Sequence, residues 1–566
     1  MVSHDVLVVG GGLAGLRAAV ECAFLGVDVA VVSKVHPVRS HSGAAQGGVN
    51  APLGNHPDGK NDSPELHAYD TIKGSDFLAD QDAAEIMTGE AAQRIYEMEH
   101  WGCPFSRTEE GKIAQRPFGG GGFPRTCYGA DRTGHYLLQT LFEQATRLRI
   151  KVYCELMVSR LVQRGDVVSG IIATDLKTGE IAALGAKAVI FATGGSGRIY
   201  SNSTNALIST GLGVAIPYWA GVPVKDMEFV QFHPTSLYGT NILVTEGARG
   251  EGGFLLNNKG ERFMKNYVSE RVMELAPRDI VSRSIQTEVN EGRGFENAYV
   301  HLDLRHLGRQ KIEEKLPGIR DLCMDFAGVD PIKSPIPVQP GMHYTMGGTD
   351  TNVDGETELK GFFAAGECAC VSAHGANRLG GNSLLETLVF GARSGKKASE
   401  YVGMNQHPND KDSLQDALSA EEDRIELLKK RNGKENPYEI KNRLAVTMKD
   451  KFGIFRNQKE MVEGRDEIKR LLQALEKTRA ISRTRVFNYD YVWMRELEGN
   501  LDIALLIAEG AIKRTESRGS HSRTDHKTRN DAEWLKHTVA RHSPDGPAFS
   551  YKNVTITRFK PEERKY

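Results

Sequence analysis

The sequence predicts an α/β fold whose leading domain is Rossmann-like, and three observations predict it. An apolar strand, a glycine-rich turn, a helix and a second apolar strand follow one another within the first 33 residues. Two later apolar segments, 188–195 and 361–368, end in small residues, as strands do where backbone approaches a large ligand. Glycine supplies 60 of 566 residues, well above the usual ~7%, so the excess calls for local explanations.

Each element follows from its residues. Asp5-Val-Leu-Val-Val9 reads as a buried parallel strand, and 13–25 as a helix with small residues facing it. Residues 27–32 form the second strand. In this βαβ setting Gly10-Gly-Gly-Leu-Ala-Gly15 is a dinucleotide turn: Gly10 makes the bend, Gly12 admits a pyrophosphate, and Gly15 lets helix and strand approach. The helix start at Leu13 and Ala14 then offers its amides to the diphosphate. The second strand should end in an acid that holds a ribose, but the chain has Ser33-Lys34, which weakens an NAD reading. The two later strands point to FAD instead, through Thr193, Gly194 and Glu367, with Glu367 taking over the missing carboxylate's work on a sugar. Gly391-Ala-Arg-Ser-Gly-Lys396 is no phosphate loop, because only three residues separate its glycines and Lys397 replaces the needed Ser or Thr.

Composition narrows the function. With 72 basic and 73 acidic side chains the net charge is -1, which argues against a nucleic-acid partner. Seven dispersed cysteines without a CxxC pair argue against a zinc ribbon, an iron–sulfur cluster or a disulfide framework within the chain. His521, His526, His537 and His542 lack the spacing of a metal site, so no metal is expected. The opening MVSHDVLVVGGG has no basic region ahead of a cleavage site, and no uncharged apolar run reaches spanning length, so the chain is expected to be soluble and intracellular.

The run Ser33-Lys-Val-His-Pro-Val-Arg-Ser-His-Ser-Gly-Ala-Ala-Gln-Gly-Gly48 closely resembles the flavoprotein subunits of succinate dehydrogenase and fumarate reductase. The likeness extends along the chain through Gln115-Arg-Pro-Phe-Gly-Gly120, Asp131-Arg-Thr-Gly-His135, Gln231-Phe-His-Pro-Thr235, Thr245-Glu-Gly-Ala-Arg-Gly-Glu-Gly-Gly253, His374-Gly-Ala-Asn-Arg-Leu-Gly-Gly-Asn-Ser-Leu-Leu385 and Glu516-Ser-Arg-Gly519. The resemblance implies FAD joined covalently to His41 through its 8α-methyl, with Ser40, Ser42, Gln46, Gly47, Gly48, Ser383 and Leu384 as further cofactor contacts. Succinate is a poor hydride donor, and alkylation by imidazole withdraws electron density from the flavin and makes it a stronger oxidant.

A four-carbon dicarboxylate requires directional cationic donors. By resemblance, His233, Thr245, His343 and Arg378 hold its carboxylates, and Arg278 in Ala276-Pro-Arg-Asp279 exchanges the proton. An isolated arginine is a poor base, and the resemblance supplies a relay through Glu246 and Arg249. The implied reaction is succinate oxidation to fumarate. The implied partners are an iron–sulfur subunit and, beyond it, a membrane anchor that reduces quinone. The chain is then expected in the cytoplasm, peripheral on the inner face of the cell membrane through those partners. Gln46 follows the dehydrogenase pattern, where many fumarate reductases carry Glu. The alternatives are a quinol:fumarate reductase running in reverse and an L-aspartate oxidase-like flavoenzyme, which lacks the flavin-linking histidine. The chain departs from the family pattern at Leu212, usually Asp, and at Ser42-Gly43, usually Thr-Val; a leucine cannot make a carboxylate's hydrogen bonds.

The expected organisation is a discontinuous FAD-binding domain, 1–228 and 344–405, interrupted by an α+β capping domain at 229–343 that opens for substrate and closes to exclude water. A helical domain at 406–525 and a small C-terminal segment at 526–566 follow. Ser419-Ala-Glu-Glu422 reads as a capping box, and Ile468, Leu471, Leu472 and Leu475 as a core-facing stripe. The polar run 514–523 reads as a solvated face without catalytic role.

Overall fold

The strand Val2–Val9 buries its apolar half completely and lies between Val29–Ser33 and Ile181–Phe191, parallel to both. This is the centre of the main sheet in the computed structural model, which describes residues 2–405 and 410–565. Lys151–Cys154 adds a parallel edge beside Val29–Ser33. On its other edge Ile181–Phe191 has two partners. Its first residues pair antiparallel with Val167–Asp175, itself paired with Leu156–Arg164, and its last three pair in parallel with Phe362–Ala364. A segment from beyond a long insertion thus returns to the same sheet.

The helix Leu13–Phe24 and strand Val29–Ser33 match the sequence expectation closely. The third strand is longer than expected because its hairpin partner extends it back to Ile181. The fourth is shorter: after Phe362–Ala364 the chain turns at Gly366–Cys368 and leaves the sheet. The phosphate-loop lookalike 391–396 lies inside the long helix Asn382–Met404, which packs along Leu13–Phe24.

The insertion enters and leaves through adjacent antiparallel strands, Val230–Leu237 and Ile336–Thr345, of a four-stranded sheet completed by Val300–Asp303 and Phe254–Leu256. The helix Arg278–Asn290 packs on this sheet, whose own core includes Leu237, Leu255, Ile285 and Val338. Toward the C-terminus the helices Pro437–Lys451, Gln458–Leu475 and Tyr489–Lys513 share one core with the antiparallel side of the main sheet. Ile468, Leu471 and Leu475 are buried there, with Leu472 partly so. The start of the helical domain expected at 406 lies outside the described residues.

Two expectations are overturned. Ser419 starts no helix: it sits inside Lys411–Lys430, whose cap is Asp410, accepting from the amides of Asp412 and Ser413 at 3.2 and 3.4 Å. An S-x-x-E string within a continuing helical pattern is only two side chains on one face, here Ser419 and Glu422, and Glu421 between them pairs with Arg424 at 2.9 Å. Nor is 514–523 solvated. Arg514, Glu516, Arg518, His521 and Arg523 are buried, with Arg514 bound to Glu228 at 2.7 Å and Arg518 to Glu516 at 2.8 Å. Each guanidinium finds carboxylate or carbonyl partners from elsewhere in the fold, and only that makes burial of such charges tolerable.

Candidate functional site

Beyond the C-terminal ends of the parallel strands, where open α/β sheets bind ligands, one cavity gathers most of the residues singled out in the sequence. Gly10, Gly12, Leu13, Ala14, Ser33, Lys34, Ser40, His41, Ser42, Gln46, Gly47, Gly48, Thr193, Gly194, Glu367, Ser383 and Leu384 all line it. Gly10 has φ of +113°, and a Cβ there would meet the Ala192 carbonyl at 2.2 Å, so the bend requires glycine. Gly15, the last glycine of the turn, does not itself line the cavity; a Cβ there would lie 1.9 Å from the Gly10 carbonyl oxygen, as its expected packing role requires. Its contribution is close helix–strand packing.

The cradle suits a large polar cofactor. Gly12 has no side chain to cap Leu13–Phe24; the Leu13 amide donates to Ser42 Oγ at 3.2 Å, and the amides that follow it face an anion at the helix start. Ser40 Oγ, Gln46 Oε1 and Thr193 Oγ1 are buried in the cavity wall and bonded to nothing else in the fold. Buried polar atoms are rarely left so, and these are ready contacts for FAD. His41 opens a short turn; the Ala206 amide donates to its Nδ1 at 3.2 Å, and Asn205 lies 3.4 Å from Nε2. Desolvation, with the charge of Arg198, lowers its pKa to about 4, so the ring is neutral and retains a nucleophilic lone pair.

At the far end the insertion contributes His233, Thr245, Glu246 and Arg278, and the returning chain His343, Tyr344 and Arg378. Local structure positions them. Thr245 caps the short helix Glu246–Gly250, accepting from the Gly247 amide at 3.2 Å. Arg278 is the first residue of its helix, after Pro277. Arg278 Nε donates to Glu246 Oε2 at 2.7 Å, and the Gly119 amide donates to Oε1, also at 2.7 Å. Burial opposes ionisation of Glu246, but Arg278 and Arg249 hold its pKa below the usual carboxylate value. Arg249, expected in the relay with Glu246, does not itself line the cavity. It lies behind Glu246, with Nη2 at 3.8 Å from Oε1, and donates Nη1 to the Glu274 carbonyl.

His233 and His343 face each other with ring centroids 5.0 Å apart. Burial and the neighbouring arginines push both pKa values well down, and His343 is lowered further by His233, so both rings are neutral. His233 Nε2 has no partner in the fold. Arg378 stacks over Tyr344 at 4.5 Å, and burial followed by Arg278 lowers its pKa to about 9. It has no carboxylate partner within hydrogen-bonding distance. Arg278 is paired with Glu246, while Arg378 is left without a carboxylate beside the open His233 Nε2, an arrangement suited to receive the carboxylates of a compact anion.

Sequence reasoning missed two contributors. Gln231 Oε1 accepts from both Arg278 Nη1 at 3.2 Å and Arg378 Nη2 at 3.1 Å, while its Nε2 is anchored to Asn377 at 2.9 Å and to the Arg378 carbonyl at 2.7 Å. Its place two residues before His233, on the same face of the strand Val230–Leu237, was the available signal. Glu496, from the helix Tyr489–Lys513, lines the cavity beside Lys34. Its distance along the chain hid it.

A strand–turn–helix cradle with unpartnered polar groups, roofed by a cap that brings arginine and histidine into the same cavity, defines a flavin-dependent oxidoreductase with an FAD-binding domain. Residues 5–384 match the FAD binding domain family, and 441–566 the fumarate reductase flavoprotein C-terminal family. The fumarate reductase flavoprotein subunit of Mycobacterium tuberculosis is 43% identical over 582 residues, covering 100% of this chain and 99% of that protein. The succinate dehydrogenase flavoprotein subunit of Coxiella burnetii is 44% identical over 558 residues, covering 95% and 94%. Among solved structures, a mutant of E. coli quinol fumarate reductase FrdA superimposes with a TM-score of 0.95 at 38% identity, over 100% of this chain and 99% of that one. Mycobacterium smegmatis Sdh1 gives 0.86 at 34% identity, over 99% and 95%. The chain therefore belongs to the flavoprotein subunits of the succinate dehydrogenase and fumarate reductase family. No helix among the described residues is long and apolar enough to cross a membrane.

Proposed function

We propose that the chain oxidises succinate to fumarate as the flavoprotein subunit of a succinate:quinone oxidoreductase, with FAD linked covalently to His41. The observation that carries this is Arg378, buried without a carboxylate partner beside the Arg278–Glu246 pair and the open Nε2 of His233, at one end of an FAD cavity. Bound FAD supplies the two-electron acceptor for the hydride that leaves one methylene of succinate. His233, His343, Thr245 and Arg378 clamp the two carboxylates, and the buried setting strengthens each contact by excluding water. Arg278 takes the proton from the second methylene. Its Nε contact with Glu246 gives that proton a path, and Arg249 behind Glu246 continues the relay. The neutral His41 ring, lone pair retained, favours attachment to the flavin.

Gln46 favours the oxidative direction. The reverse reading, a quinol:fumarate reductase, is favoured by the relative from M. tuberculosis, named a fumarate reductase subunit. An iron–sulfur subunit receives the electrons and a membrane anchor passes them to quinone, holding the chain on the inner face of the membrane. Support for this comes from a relative solved as a quinol-fumarate reductase with menaquinol, 39% identical with a TM-score of 0.94. The test is malonate-sensitive reduction of phenazine methosulfate by succinate with the purified chain, compared with its rate of fumarate reduction. Absence of both would refute the substrate reading. After acid denaturation the flavin should remain on the polypeptide and fluoresce on a denaturing gel; release of all flavin would refute the linkage.

A further inference from the structure

We propose that Glu496, on the C-terminal helix Tyr489–Lys513, binds the ribose of the adenosine half of FAD. A dinucleotide fold ordinarily places a carboxylate at the end of the second strand for that hydroxyl, and here that strand ends in Ser33 followed by Lys34. Three carboxylates line the cavity: Glu246, Glu367 and Glu496. Glu246 is committed to Arg278 and the Gly119 amide. Glu367, the residue expected from sequence to take the sugar, accepts from the Thr345 amide at 3.0 Å, and burial raises its pKa to about 7, so near neutral pH it is in part protonated and the poorer acceptor for a hydroxyl.

Glu496 stands where the sugar carboxylate is needed. Its side chain is 6% exposed and pairs with Lys34 Nζ, directly after the strand end. Thr210 Oγ1 donates to the same oxygen, Oε1, at 3.3 Å, so Oε2 remains open to a ligand hydroxyl. The ion pair with Lys34 fixes the carboxylate at the end of the strand, where its second oxygen can accept from a hydroxyl. Apolar walls from Leu156, Met157, Leu212 and Ile216 line the same cavity and suit a purine face. Leu212 then serves the base rather than the sugar, and the carboxylate absent from its position is supplied from another part of the chain. The helix is held in place there, because Asn500 donates to the Thr210 carbonyl and Gly499 packs against Leu212 and Ala215.

The inference rests on the FAD assignment and adds that the C-terminal helices complete the cofactor site. The test uses the full chain carrying His41→Ser so that flavin exchanges, with affinities read by quenching of flavin fluorescence. FAD is compared with its 2′-deoxyadenosine analogue in the presence of Glu496 and of Glu496→Gln. With Glu496 intact the analogue should bind about 10- to 100-fold more weakly than FAD, the span of one lost hydrogen bond to a charged group. Glu496→Gln should lower FAD affinity by a similar factor and leave the analogue nearly unaffected, the signature of direct contact. Equal affinity of the Glu496 chain for FAD and the analogue overturns the proposal, as does an equal loss for both ligands in the variant. The first comparison needs no change at Glu496, so it decides even if the variant fails to fold. Failure of FAD itself to bind would instead strike the cofactor assignment.

Discussion

At the cradle end of the cavity the groups offered to a ligand are mainly backbone amides and neutral polar side chains, many of them from the continuous stretches 10–14 and 33–48. At the cap end they are charges drawn from separated segments, Gln231–His233, Thr245–Arg249, Arg278, His343 and Arg378. The cradle needs little compensation, since amides and hydroxyls tolerate burial once a ligand bonds them. The cap end holds guanidiniums in low dielectric, and its stability without substrate depends on a few exact pairings: Arg278 with Glu246, and both Arg278 and Arg378 with Gln231. One end recognises by shape and backbone, the other by stored charge.

Perturbing each end should therefore fail differently. The largest effect is expected from Arg278→Lys. Flavin should stay bound while kcat for succinate falls by about 10²- to 10⁴-fold, the span of a lost acid–base group; near-normal turnover with phenazine methosulfate would remove Arg278 from its role. Gly15→Ala should do the reverse. A Cβ 1.9 Å from the Gly10 carbonyl forces the turn apart, at a cost of about 1–3 kcal/mol for overpacking, and flavin per polypeptide, read from visible absorbance, should drop. Wild-type flavin content would break the contrast.

Gln231→Met tests whether the arginines need their shared acceptor. The variant keeps volume and loses the oxygen between them, so kcat/KM for succinate should fall by about 10- to 100-fold through misplacement, with flavin content unchanged. An unchanged kcat/KM would show that Gln231 positions nothing.

The smallest effect belongs to a buried charge that is already saturated. His537 lies 2.6 Å from Asp226 and 3.2 Å from Asp80. Burial alone would lower its pKa, but Asp226 and then Asp80 raise it from 6.5 to about 9. The stability it contributes is fully present below about pH 6.5 and is lost as pH rises through about 9, because the folded state holds the proton more tightly than the unfolded one. Thermal melts between pH 6 and pH 9.5 should show a larger drop for the native chain than for His537→Gln, while KM for succinate stays the same in both. A parallel drop would dissociate His537 from the pH dependence.

The cradle was legible because its determinants are local. A strand, Gly10 to Gly15 and a helix form a continuous string, and the run from Ser33 to Gly48 supplies a second continuous part of the wall. The cap residues were legible one at a time, through polar side chains embedded in apolar or glycine-rich stretches. Their grouping was not, since Gln231, Arg278 and Arg378 meet only through a sheet and a helix start far apart in sequence. The reading of 514–523 as a solvated face failed for the same reason. Its partner Glu228 lies nearly three hundred residues away, and polarity alone does not distinguish a paired interior from a wet surface. The misplaced cap at Ser419 arose because an S-x-x-E string carries its meaning only where a helix begins.

The sequence by itself determined the α/β class, the nucleotide cradle and the set of charged residues available for chemistry, because those depend on period, turn geometry and residue type. Only the tertiary structure decided which charges face one another unpaired, that Arg249 stands behind Glu246, and that Glu496 reaches the cavity from the C-terminal helices. These are questions of distance and burial, and electrostatic energy depends on both far more steeply than on order along the chain.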